Sequence, residues 1–148
     1  MAWLGLIHAI VMAAALAIGA GLFAIAKGTA RRCRCGRGFV IAVLGSNLLV
    51  LSIYEDSETM GIFHILAIVS FGSVLTALPL ARRGKGGPGT RIAHGHVMLW
   101  SFGGMVAAGL GQSATYLGQT PWPAIVAVFL CVGILAAQLD FKAMLRAG

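Results

Sequence analysis

The chain has 148 residues, 59% of them hydrophobic and 10% charged, with a formal net charge of +7 and a mean hydropathy of +0.92. So little polar surface cannot cover a water-soluble globule of this size, and a bilayer is the natural solvent. The cationic excess would point to nucleic acid in a soluble protein, but here its position along the chain decides its meaning.

Five apolar segments free of Lys, Arg, Asp and Glu predict an all-α, polytopic membrane helix bundle, a single membrane domain over 1–148. The predicted helices cover about 3–26, 39–54, 61–80, 92–117 and 122–139. A helix needs roughly 20 residues to cross a hydrocarbon core about 30 Å thick, and it satisfies its backbone hydrogen bonds internally. The first, third and fourth segments meet that length. The second and fifth are short, so each borrows a flanking turn or sits in locally thinned lipid.

The first segment, Trp3 to Ala26, carries His8. Ala24-Ile25-Ala26 has the small-residue spacing of a signal-peptide cleavage site, but a positive n-region is missing and the apolar stretch is too long, so the segment is expected to be retained. Lys27, Arg31, Arg32, Arg34 and Arg37 fill the first connection, together with Cys33 and Cys35. Two cysteines here and Cys131 in a helix do not make a disulfide framework, and two thiols cannot complete a tetrahedral zinc site. The arginine neighbours favour thiolate reactivity at Cys33 and Cys35; the simpler reading is ordinary loop residues.

The second segment holds Ser46 and Asn47, and the connection after it holds Glu55, Asp56 and Glu58. The third opens on Phe63-His64 and is followed by Arg82, Arg83, Lys85 and Arg91 in a loop rich in glycine. His94, His96 and Met98 open the fourth segment, which continues through Trp100 to Gln112, Ser113 and Tyr116. Gly118 to Pro121 is uncharged, and Lys142 and Arg146 follow the fifth segment. All 11 Lys and Arg side chains therefore fall on one side of a five-crossing arrangement. By the positive-inside rule that side is the cytoplasm, which places the amino terminus outside and the carboxyl terminus inside. Dropping the short second segment would put the two basic connections on opposite faces. Trp3, Tyr54, Tyr116 and Trp122 land at the outer boundary, where amphipathic rings anchor; Trp100 is expected inside the bundle. The partners implied are the lipid bilayer and its anionic headgroups at the cytoplasmic face, in place of nucleic acid.

In lipid, small residues mark close helix approach. Ala13, Ala17 and Gly21 repeat every fourth position on the first helix, and Gly103, Ala107 and Gly111 do so on the fourth. These are the expected central helices, with Gly104, Ala108 and Gln112 widening the contact face of the fourth. The fifth, richer in large aliphatics, is expected at the periphery.

The four histidines stand out, because polar groups at membrane depth are costly and are found with partners. His8 lies about 7 to 8 Å, and His64 about 4 to 5 Å, along its helix from the outer boundary. His8 shares a helical face with Met12, Ala15 and Gly19. His94 and His96 point about 200° apart, so one of them faces inward. The sharper hypothesis makes His8 and His64 the axial ligands of a b-type haem held between helices, with His94 serving an inner site. The simpler one has each imidazole bonding a neighbouring carbonyl or snorkelling to the interface. Ser46, Asn47, Gln112, Ser113 and Tyr116 read as interhelical hydrogen-bonding groups ahead of a quinone or substrate pocket. Cys-x-x-Cys-His, a nucleophile elbow, phosphate cradles and EF-hand loops are all missing, so no catalytic residue is singled out.

On His8, Lys27-Gly28-Thr29 with Gly36-Arg37, Phe63-His64, and His94 with Met98 and Ser101, the chain resembles DUF2306, a bacterial family of small multi-pass membrane proteins without an established activity. The resemblance covers most of the first four helices and implies a bacterial inner (cytoplasmic) membrane location. The family commonly has a histidine three residues after the Lys-Gly-Thr triplet, where this chain has Arg32. That departure puts an inner haem at His94 in doubt and leaves the outer pair intact. Two functions stand open: a haem-bearing electron-transfer protein, or a structural or accessory subunit packing beside other membrane subunits. Proton or solute transport ranks below both, since an intramembrane acidic relay is missing.

Overall fold

The computed structural model describes residues 2–26, 29–52, 61–82 and 87–138. Over them run five α-helices: α1 (Ala2–Ala24), α2 (Ala30–Ser52), α3 (Ile62–Arg82), α4 (Pro88–Tyr116) and α5 (Trp122–Gln138). Their order matches the five apolar segments. Lys27, the acidic residues Glu55, Asp56 and Glu58 with Tyr54, the cations Arg83 and Lys85, and Lys142 and Arg146 in the tail lie outside the described residues.

Trp3–Ala24, Ala30–Ser52 and Ile62–Leu80 are long and apolar enough to cross a bilayer. This corrects the ranking of the segments. α4, at 29 residues, has the length for a crossing, but glycines, His94, His96 and Gln112 dilute its apolar character. α5 is strongly apolar and, at 17 residues, about one turn short. Ile10, Phe23, Ile41, Val69 and Leu130 all point outward, which water would penalise and lipid tails accept.

The largest boundary correction is at α2, which begins at Ala30 and not near Phe39. Thr29 is its N-cap: the Thr29 hydroxyl accepts the Arg32 backbone N–H at 3.2 Å and donates to the Ala26 carbonyl at 3.0 Å. The first helical bond, Cys33 N–H to Thr29 O, follows at 3.1 Å. Arginine is a good helix former, so a cap followed by Arg31, Arg32, Arg34 and Arg37 makes two helical turns that hydropathy alone reads as a loop. Arg32 does a second job. Its Nη1 donates to the carbonyls of Leu22 at 2.6 Å and Ile25 at 2.5 Å. Those carbonyls end α1 and lack intrahelical donors, so the guanidinium closes the α1–α2 hairpin and opposes the negative end of the α1 dipole.

The chain divides into two compact units, one running to Phe71 and one from Gly72. In the first, α1 packs on α2. The covered side of α1 carries Ala15 and Gly19, with His8 and Met12 half-buried on the same line. The covered side of α2 carries Phe39, Val43, Ser46 and Asn47. Ala13 and Ala17 are exposed, and a side chain at Gly21 would meet nothing within 4 Å. The expected Ala13, Ala17, Gly21 contact stripe is therefore on the wrong face, and the neighbouring Ala15 and Gly19 are the buried ones.

In the second unit α4 packs on α5, and the expected small-residue stripe is the contact. A Cβ at Gly103 would lie 2.5 Å from Val132 Cγ2, and one at Gly111 would lie 3.0 Å from Ile125 Cγ1. Ala107 between them is fully buried. Ile125 and Val132 of α5 thus enter the groove that Gly103, Ala107 and Gly111 leave open. The aliphatic bulk of α5 is what a glycine groove accepts, while Val126, Leu130, Ile134 and Leu135 on its other sides are exposed. Gly104, on the adjacent stripe, has nothing within 4 Å and adds no contact. Trp100, expected inside, is 41% exposed and stacks on Phe129 at the margin of the pair, with ring centroids 6.2 Å apart.

The α4–α5 turn is closed by a Schellman arrangement. Gln119 N–H reaches Ala114 O at 2.9 Å and Gly118 N–H reaches Thr115 O at 3.0 Å. Gly118 takes φ +73, the left-handed geometry such a terminus needs. Pro88 stands at the start of α4, where its missing N–H would find no intrahelical acceptor anyway.

Gly103→Ala is expected to destabilise the α4–α5 pair by about 1–3 kcal/mol through overpacking on Val132, whereas Gly104→Ala leaves stability unchanged or raised. Detergent-phase unfolding of the two variants checks this. Adding Val132→Ala to Gly103→Ala should recover most of the loss.

Candidate functional site

Several hydroxyls are spent within their own helices. Ser52 donates to Leu48 O, Thr76 to Ser73 O, Ser113 to Gly109 O and Thr115 to Gly111 O, at 2.8–3.1 Å. A lipid-embedded helix tolerates such residues because the carbonyl one turn back is always within reach. Ser113, expected to bridge helices, is corrected to this class. Gln112 is exposed, and Tyr116 is 93% exposed.

In the first unit, polar pairs cross between helices. Ser46 Oγ lies 2.7 Å from His8 Nδ1, joining α2 to α1. Asn47 Nδ2 donates to Ser70 Oγ at 3.1 Å, joining α2 to the first half of α3. Consecutive residues on a helix point about 100° apart, so Ser46 and Asn47 let one turn of α2 hold both neighbours. Ser46 and Asn47 are both buried, as groups satisfied by protein should be where water is excluded.

His8 is half-buried on the covered side of α1. With Nδ1 engaged by Ser46, Nε2 is the nitrogen left for other chemistry, and which nitrogen carries the proton follows from the role Ser46 takes. If Nδ1–H donates to the hydroxyl, the Nε2 lone pair can bind a metal. If Ser46 donates to Nδ1, Nε2 is a proton donor. His64 stands in the first turn of α3, in the same unit, with Nδ1 3.9 Å from where a Cβ on Gly61 would be; its backbone N–H bonds Gly61 O at 3.0 Å.

His94 belongs to the second unit, on the α4 line that continues through Met98, Ser101 and Met105. Ser101 is 2% exposed, and its Oγ has no hydrogen-bond partner among the described residues. His96, two positions on, points away from that line. Cys33 and Cys35, on the first turns of α2, form no disulfide among the described residues, and neither does Cys131; two residues apart on a helix, Cys33 and Cys35 diverge and cannot bridge each other.

Among the described residues there is no group of three or more His, Cys, Asp or Glu that could hold a metal ion. A haem asks for less, since the porphyrin supplies four nitrogens and the protein only one or two axial ligands. An imidazole with one nitrogen fixed by a hydrogen bond and the other left for iron has the ligand and outer-shell arrangement such a site uses. With Nδ1–H donating to Ser46, His8 would have the donor chemistry that a haem ligand needs.

Sequence reasoning found His8 and Ser46 separately and missed that they are partners. Their separation of 38 positions leaves no local spacing to detect. Arg32 was noticed as a departure from a family pattern; its contacts show a capping side chain. No family model, curated protein or solved structure matches the chain, so the functional reading rests on these residues.

The His8–Ser46 bond is expected to couple α1 to α2 by about 0.5–2 kcal/mol. A double-mutant cycle with His8→Ala and Ser46→Ala, read by unfolding in detergent, measures it. Additive single effects would mean that the contact contributes nothing.

Proposed function

We propose that this chain is a multi-pass membrane electron-transfer protein in which His8 and His64 would hold a b-type haem. The observation that carries the reading is the 2.7 Å contact between His8 Nδ1 and Ser46 Oγ: with Nδ1–H donating to the hydroxyl, the ring would be oriented and the Nε2 lone pair left for the iron. Ser46 takes the part of the outer-shell group that orients the ligand. Held between two imidazoles, a haem would supply reversible one-electron exchange. His94 is the candidate for an inner site, weakened by Arg32, whose guanidinium is occupied with the end of α1.

The proposed topology has five crossings, with the start of α1 outside and the basic connections in the cytoplasm of a bacterial cell. Support comes from the three span-length helices, the one-sided placement of Lys and Arg and the outward rings of Trp3, Tyr116 and Trp122. The residues on which the sequence resembles DUF2306 include both proposed ligands.

Full-length protein expressed with ample haem and purified in detergent should show Soret and alpha bands of a low-spin haem, lost in the His8→Ala, His64→Ala double variant. Ser46→Ala should keep the bands and shift the midpoint potential. A colourless haem-replete protein, or bands that survive the double substitution, would rule out this ligand pair.

A second reading, an accessory subunit, is favoured by the exposed small-residue line Ala13, Ala17, Gly21 on α1, where another subunit's helix could approach closely. It predicts that Ala13→Leu with Ala17→Leu removes co-purifying membrane partners on native gels while the isolated chain unfolds as before. Unchanged co-purification would dismiss it.

A further inference from the structure

The first two turns of α2 place charge where a membrane helix ordinarily avoids it. Arg31, Arg34 and Arg37 are all exposed, while Arg32 turns inward onto α1. At about 100° per residue the three outward arginines cover a sector of about 120° and rise about 9 Å along the axis. They make no ion pair among the described residues, and α2 contains no carboxylate at all. The apolar run from Phe39 to Tyr54 would rise only about 23 Å as a helix, against a hydrocarbon core of about 30 Å. Counting back about 20 residues from Tyr54, where the apolar sequence ends, reaches Cys35, so Arg37 falls within the length of helix that a full-thickness core would cover, with Arg34 at its edge.

A charged side chain at that level needs either a protein partner or a headgroup drawn down to it. The arginines' own helix offers no acid. We infer that Arg31, Arg34 and Arg37 form a binding site for the phosphate of an anionic phospholipid, seated against the α1–α2 hairpin. Guanidinium groups match phosphate oxygens in bidentate geometry, which ammonium groups do not. An anionic headgroup is favoured over a zwitterionic one because it brings no cation of its own into a sector that already holds three. Arg32 is the device that keeps the sector in register, since its bonds to Leu22 O and Ile25 O lock the start of α2 to the end of α1. The inference rests on the membrane reading and not on the haem.

The test uses the full-length chain in nanodiscs of phosphatidylcholine containing phosphatidylglycerol, with lipid retention read by native mass spectrometry after release. The wild type should retain phosphatidylglycerol selectively. The Arg31→Gln, Arg34→Gln, Arg37→Gln variant should lose that retention by at least ~10-fold, while Arg83→Gln, Lys85→Gln, Arg91→Gln, which removes equal charge elsewhere, keeps it. Equal loss in both triples would reduce the effect to diffuse surface charge and overturn the site, as would unchanged retention in the first. A photoactivatable phosphatidylglycerol analogue tests the unaltered protein independently of variant folding. Its adducts should map to the peptide spanning Ala30 to Phe39, and adducts found only elsewhere would overturn the proposal. Recovery of the chain in the membrane fraction reports separately on the membrane reading.

Discussion

A helix in lipid satisfies its own backbone everywhere except at its ends, where the last carbonyls and first N–H groups have no partner within the helix and less water than at the surface of a soluble protein. The best-defined features of this chain are answers to that constraint. Thr29 and Arg32, three residues apart, close the end of α1 and open α2 together. Gly118 and Gln119 close α4 so tightly that α5 starts at Trp122. Each closure sets two consecutive helices antiparallel and side by side, and those are the pairs that pack.

The same scarcity of water governs the side chains. Ser52, Thr76, Ser113 and Thr115 fold back onto carbonyls of their own helices, while Ser46 and Asn47 reach across to His8 and Ser70. These contacts lie in the unit where α1 meets α2 through small residues, so the backbone approach that Ala15 and Gly19 allow also brings the imidazole within reach of the hydroxyl. Function, in the reading proposed, follows from the geometry of that approach: a ring held by one nitrogen presents the other in a fixed direction.

Arg32 shows how one position can be misjudged from pattern alone. A histidine expected there would belong to a cofactor argument. An arginine makes bonds a histidine at that reach would not, two carbonyls gripped by one nitrogen of a long side chain, and here those bonds close a helix end. Its cationic neighbours are then free to face the membrane surface.

Hydropathy and charge placement determined by themselves that this chain is helical, that its segments number five and that its cations gather on alternate connections, because lipid imposes length and polarity on each segment independently of the others. The face shared by His8, Met12, Ala15 and Gly19, and the Gly103, Ala107, Gly111 groove, were legible for a related reason: helical periodicity fixes which residues align. What periodicity cannot fix is which of two competing lines meets a neighbour. Ala13, Ala17, Gly21 and Ala15, Gly19 are both small-residue lines on α1, and only the packing of α2 chose between them. Nor does sequence join residues distant along the chain. The partnership of His8 with Ser46, the seating of Val132 on Gly103 and the two helical turns carrying arginine before Phe39 depend on contacts and caps formed in three dimensions, and these only the tertiary structure decided.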